Sequence, residues 1–166
     1  MLVSKAIKKM IQFYDGSIHD INHFLKVWSY AKLIGELENI DKDVLETLEL
    51  AAIAHDIACP LCRKKYGYAG GKMQEVEGVL LAREFYKEME VSENQLDRIC
   101  YLVGHHHTVK TIDGIDYQIL IEADFLVNAD ESSLKTQAIT KFRNLNFKTK
   151  TGIELLNTIY GLEMNE

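Results

Sequence analysis

Apolar residues recur along this chain at three- and four-residue spacing and hardly ever in strict alternation, so the pattern predicts helices and no strands. A first helix runs from about Val3 to Tyr14 and stops at the turn signal Asp15-Gly16. A second covers about Asp20 to Leu37, with Val27, Tyr30, Ala31 and Ile34 on one stripe. Asp41 is a good N-cap for a third, which continues to about Ile57 with Leu45, Leu48 and Ala52 inward. Pro60, the single proline, is expected to stop that helix, and a loop rich in Gly and Lys follows from Cys59 to Gly71. Further helices are predicted at about Met73–Glu90 and Glu93–His106, with Ser92 as the cap between them. A loop over Thr108–Asp116 turns at Asp113-Gly114, and two or three helices fill Tyr117–Gly161. The expected fold class is all-α, a single-domain helical bundle.

Length and composition narrow this further. A chain of 166 residues fits one compact domain, and 47% hydrophobic residues suffice for a core. No apolar stretch approaches the ~20 residues of a membrane span, so no membrane role is expected. Lys5, Lys8 and Lys9 are followed by no apolar segment of secretory type. Three cysteines argue against a disulfide framework and fit a reducing, cytoplasmic setting. A net charge of −6 disfavours nucleic-acid polymers as partners, while a local Lys/Arg cluster can still attract a small anion.

Five residues in four segments break the apolar stripes with polar groups. His23 lies four residues before Val27 and eight before Ala31. His55 and Asp56 end the Leu45, Leu48, Ala52 stripe, and His106 extends that of Leu96, Ile99 and Val103. Asp124 sits between Leu120 and Val127 in an almost wholly apolar segment. Each alone reads equally as a hydrogen-bonded core histidine or a capping carboxylate. Together they need partners, because an unpaired buried carboxylate costs several kcal/mol. Imidazoles and carboxylates converging from several helices form the ligand set of a borderline or hard divalent cation.

The order His23 … His55-Asp56 … Asp124 resembles the H…HD…D signature of HD-domain metal-dependent phosphohydrolases. The stretches HFLKVWSYAKLIGELE, AAIAHDIA, GGKMQEVEGVLLARE, ICYLVGHHH and QILIEADFLVN follow in that family's order, and FKTKTGIELLNTIYGLE resembles the tail of small bacterial members. The resemblance implies a helical domain over 1–166, with a metal-binding core at about 21–130 and C-terminal helices over 131–166. It implies that His23, His55, Asp56 and Asp124 bind one divalent metal, drawn from Mn, Fe, Co, Ni, Zn or Mg. Two-metal members add histidines early in the helix after the HD loop and before the final Asp. Here the second place holds His105, His106 and His107, whereas the first holds Gln74, so one ion is favoured over two. HDIG is HDIA in this chain, and Cys59 stands where other members place a Glu general base. Glu75, Glu77 and His106 are the remaining candidates for that role.

The implied reaction is attack of a cation-acidified water on a phosphomonoester or phosphodiester of a small substrate, nucleotides among them. Lys26, one turn beyond His23, is the candidate to offset developing charge. Arg63 and Lys64 in the expected loop, and Lys72 after Gly70-Gly71, are candidate phosphate contacts, with a solvated loop as the alternative. Cys59-Pro60-Leu61-Cys62 lacks the second pair of a zinc site and the βαβ setting of a thioredoxin-type site. A Cys-His nucleophilic hydrolase, a non-catalytic metal or nucleotide sensor and a homodimer built on the terminal helices are the other readings.

Overall fold

A computed structural model describes residues 2–163; Met1 and residues 164–166, at the ends of the expected domain, lie outside the described residues. Among the described residues there are nine helices and no strand. The first, α1 (Leu2–Tyr14), ends at Asp15-Gly16, where both residues take positive φ, and α2 (Ile18–Leu37) starts two residues earlier than its apolar stripe suggests. Asp41 caps α3 (Lys42–Ala54) by accepting from the Asp43 amide, and Ser92 caps α6 (Glu93–Val103) through the Gln95 amide.

The expected loop after Pro60 is instead a helix, α4 (Cys59–Tyr66). Proline lacks the amide hydrogen that the first helical turn leaves unused, so at the second position of α4 it begins a helix where it would have broken one. Gly67, in the left-handed region at φ +82°, closes α4. The fifth helix, α5 (Gly71–Tyr86), is shorter than predicted, and α6 gives way to a turn over 104–107 that carries the three consecutive histidines. Three helices complete the chain: α7 (Ile115–Glu131), α8 (Thr136–Asn146) and α9 (Lys150–Tyr160).

Packing explains which segments are apolar on all sides. Helix α2 lies along both α3 and α7, and α3 also touches α1, α6 and α7. From Leu48 to Ala54, every α3 residue except the buried Glu49 is a fully covered hydrophobe. Burying one such Leu or Ile contributes about 1.5–3 kcal/mol, which makes α3 the hub of the core. Helices α5 and α6 approach closely because each presents a glycine to a valine of the other. A Cβ on Gly78 would lie 2.8 Å from Val103, and one on Gly104 would lie 2.7 Å from Val79. That contact brings the end of α6, with its histidine turn, against the cluster described next. No described helix is long and apolar enough to cross a membrane.

Candidate metal centre

The helix contacts bring four distant segments to one point. His23 comes from the middle of α2, His55 and Asp56 from the turn that follows α3, His106 from the turn that follows α6, and Asp124 from the middle of α7. The Nε2 atoms of His23 and His55 lie 3.1 Å apart. Asp56 Oδ2 is 3.3 Å from His23 Nε2 and 3.6 Å from His55 Nε2. Asp124 Oδ1 stands 3.4 Å from both of those nitrogens. On the other side of Asp56, Oδ1 is 3.2 Å from His106 Nε2. The structure thus brings together His23, His55, Asp56, Asp124 and His106.

The proton positions follow from the outer partners of the rings. A backbone carbonyl can only accept, so His55 Nδ1, 2.7 Å from Ala52 O, and His106 Nδ1, 2.8 Å from Val103 O, both carry hydrogen. His23 Nδ1 likewise faces a carboxylate, Glu131 Oε2, at 2.7 Å. His23 and His55 therefore point Nε2 lone pairs at each other, and His106 points its own at Asp56 Oδ1, unless a cation or an extra proton stands between them. In the protein alone, a proton fills that role. Burial disfavours charge on His23, but Asp124, Asp56 and Glu131 outweigh it and raise this imidazole to about 9. Burial likewise opposes ionisation of Asp56 and Asp124, and the surrounding histidines override it and hold both carboxyls well below their usual range.

The donor set also fits a divalent ion by size. Ligands at about 2.0–2.2 Å from a common centre lie roughly 2.8–3.6 Å from each other in octahedral or tetrahedral arrangements. The observed separations of 3.1, 3.3, 3.4 and 3.6 Å match that interval. The ligand atoms of His23, His55 and Asp56 fall within one 4.8 Å group, and those of Asp56, His106 and His107 within a second that shares Asp56.

Comparison with known proteins agrees with this geometry. The sequence pattern of the HD domain matches residues 20–141, which include the whole cluster. The chain belongs to the HD-domain family. That is a family of metal-dependent hydrolases. A solved structure, described as a predicted HD superfamily hydrolase from an uncultured Thermotogales bacterium, shares the HD fold at 22% identity and a TM-score of 0.65, over 96% of this chain and 83% of that one. No curated protein matches the sequence.

Other residues singled out in this HD domain are placed differently. Glu77 faces away from the cluster, held by Lys65 at 2.5 Å and the Tyr66 hydroxyl at 2.6 Å. Glu75 is buried, but its Oε1 accepts from the His107 amide at 3.1 Å and the Thr108 hydroxyl at 2.8 Å, so it ties down the histidine turn. Arg63 spends its guanidinium on buried Asp20, which Ser17 also serves at 2.6 Å. Lys64 is exposed on α4, and Lys72 is exposed 4.0 Å from Glu75. Lys26 lies beside the cluster through Glu131, at 3.1 Å. Gln74 is committed at both ends of its amide, donating to Ala69 O at 2.8 Å and facing His107 Nε2 at 3.1 Å. His105 stacks on Tyr101 with ring centres 4.2 Å apart and donates to the Tyr101 carbonyl. Burial, followed by the charge of Asp56, pushes the Cys59 thiol up, which removes it as a nucleophile.

Two neighbours of the cluster escaped the sequence reading. Asn128 Nδ2 donates to Asp124 Oδ1 at 2.7 Å, and Glu131 meets His23. Both lie on the Asp124 face of α7, four and seven residues on, so helical spacing from Asp124 was the signal that pointed to them.

Proposed function

We propose that this HD-domain protein is a phosphohydrolase that holds one divalent cation on His23, His55, Asp56 and Asp124 and cleaves a phosphomonoester or phosphodiester of a small substrate, with nucleotides the first class to test. The observation that carries this reading is the convergence of three imidazole Nε2 atoms and two ionised carboxylates, each ring fixed from behind by an acceptor on its Nδ1. A bound divalent cation supplies Lewis acidity and a water acidified from about 15.7 toward neutrality. Mn, Fe, Co, Ni, Zn and Mg all accept such a mixed nitrogen and oxygen set.

The chain's own groups take the remaining roles. Asp56, with one oxygen toward His23 and the other toward His106, links the cation ligands to an imidazole able to hold a proton beside the reacting water. Charge on buried His106 is opposed by burial but favoured by Asp56, which raises its affinity for that proton. Lys26 stands half-exposed at the rim, one turn from His23, where its ammonium offsets charge gathering on a phosphoryl group. Arg63 and Glu77, already ion-paired, and Glu75, bonded to the histidine turn, are left out of the chemistry. With Gln74 bonded at both ends, a single cation is the better-supported stoichiometry.

The test is hydrolysis of a panel of nucleotides and phosphoesters by purified protein loaded with Mn, Co, Ni or Mg. Turnover that a chelator abolishes and the metal restores is the expected result. No turnover at full metal occupancy would transfer the protein to the sensor reading, which the HDIA form and Gln74 favour.

A further inference from the structure

The three histidines of the cluster are not held in the same way. His55 directly follows the end of α3 and His106 lies three residues past the end of α6, where the last carbonyls have no partner within the helix, and they donate Nδ1–H to Ala52 O and Val103 O. His23 lies in mid-helix, where every nearby carbonyl already belongs to the helical ladder. It has no backbone acceptor of that kind and depends on another element.

Glu131, the last residue of α7, meets that need. Its Oε2 is 2.7 Å from His23 Nδ1, and its side chain is 14% exposed. Its other oxygen takes Lys26 Nζ at 3.1 Å, and His19 Nε2 stands 3.9 Å away, so one carboxylate gathers three basic groups from one face of α2. It approaches the ring from the side opposite the cluster and so supports His23 without competing for its place. We propose that Glu131 is the positioning residue of the centre: by accepting Nδ1–H it fixes the plane and tautomer of His23 so that the Nε2 lone pair faces the cation. The proposal rests on the metal-binding reading above. The pairing with Lys26 sets the rotamer of Glu131, so the rim cation and the metal ligand share one support.

The experiment is titration of Co²⁺ into the full chain, followed by calorimetry and by its d–d absorption. Glu131→Met keeps the length of the side chain without an oxygen acceptor. It is expected to weaken Co²⁺ binding about 10–100-fold and to change the absorption band. Glu131→Gln, whose amide oxygen can accept the same N–H, is expected to recover most of the affinity and the wild-type band. A folded Glu131→Met chain with wild-type affinity and spectrum would overturn the proposal, even if its melting temperature had dropped. Should that variant not fold, nitrogen-15 NMR of the zinc-loaded wild type decides: an Nδ1–H proton on His23 supports the assignment and an Nε2–H proton overturns it. Wild-type protein that takes up no Co²⁺ would remove the metal reading itself, and this proposal with it.

Discussion

Two buried carboxylates sit two residues apart on α7, and their surroundings differ in kind. Glu122 is fully covered and ringed by hydrogen-bond donors: Gln118 Nε2 at 2.7 Å, the Lys148 amide at 2.7 Å, the Thr149 amide at 3.0 Å and the Thr149 hydroxyl. Each brings its own hydrogen, so the network is complete and ties α7 to the start of α9. Asp124 receives one such donor, Asn128, and otherwise faces imidazole nitrogens whose hydrogens are used elsewhere. The lesson concerns donors. A buried carboxylate surrounded by amides and hydroxyls is an anchor, whereas one surrounded by lone pairs is an incomplete coordination sphere.

The largest effect should come from the second kind. His55→Ala or Asp124→Asn is expected to abolish bound metal, read by elemental analysis after desalting, while the far-UV helical signal survives. Full retention of metal by either variant would erase the distinction between the two carboxylates. The first kind should respond in the opposite way. Glu122→Ala orphans several buried donors at a cost of about 3 kcal/mol. For a chain of this size that corresponds to a melting temperature lower by about 6–12 °C. Metal affinity should stay within about twofold; a parallel loss of affinity would show that α9 and the cluster are coupled.

The same contrast shows what the sequence could and could not reveal. Asp124 was legible because its neighbours are apolar and because His23, His55 and Asp56 stand at family spacing. Outside α4, helix type was legible from periodicity, down to the caps at Asp41 and Ser92. Pro60 misled because its effect depends on position within a helix, and the chain alone does not say where a helix begins. Glu75 and Glu77 were plausible bases by proximity in sequence, but their rotamers are set by Thr108 on one side and Lys65 on the other, which are tertiary facts. Glu131 had no place in the sequence reading. Only the packing of α2 on α7 turns it toward His23.

Protons offer a finer test of the incomplete sphere. His23 is raised to about 9, against 6.5 when unfolded, so the metal-free fold holds a proton that the unfolded chain releases above 6.5. The stability this contributes is full below pH 6.5 and fades as pH rises through 9. Cation binding must expel that proton, so below about pH 9 affinity should climb by up to tenfold per pH unit. Calorimetry in two buffers of different protonation enthalpy should record about one proton released at pH 7 or more if His106 also deprotonates. Release of none would mean that His23 is not a ligand.

The smallest expected difference separates neighbours in the histidine turn. His106 is buried with its Nε2 on Asp56, whereas His107 is exposed and bonds Gln74. His106→Ala removes a partner of a half-buried, ionised carboxylate and leaves a void behind Asp56, so both activity and metal affinity should fall. His107→Ala leaves Asp56 untouched and frees one end of the buried Gln74 amide, whose Nε2 still donates to Ala69 O. Its effect on metal affinity should stay within about threefold, because the bond it loses is to Gln74 and not to His23, His55, Asp56 or Asp124. If His107→Ala proves the more damaging, the second group around Asp56 is an occupied site. The protein then carries two ions, with His107 as a ligand that the Gln74 bond only guards.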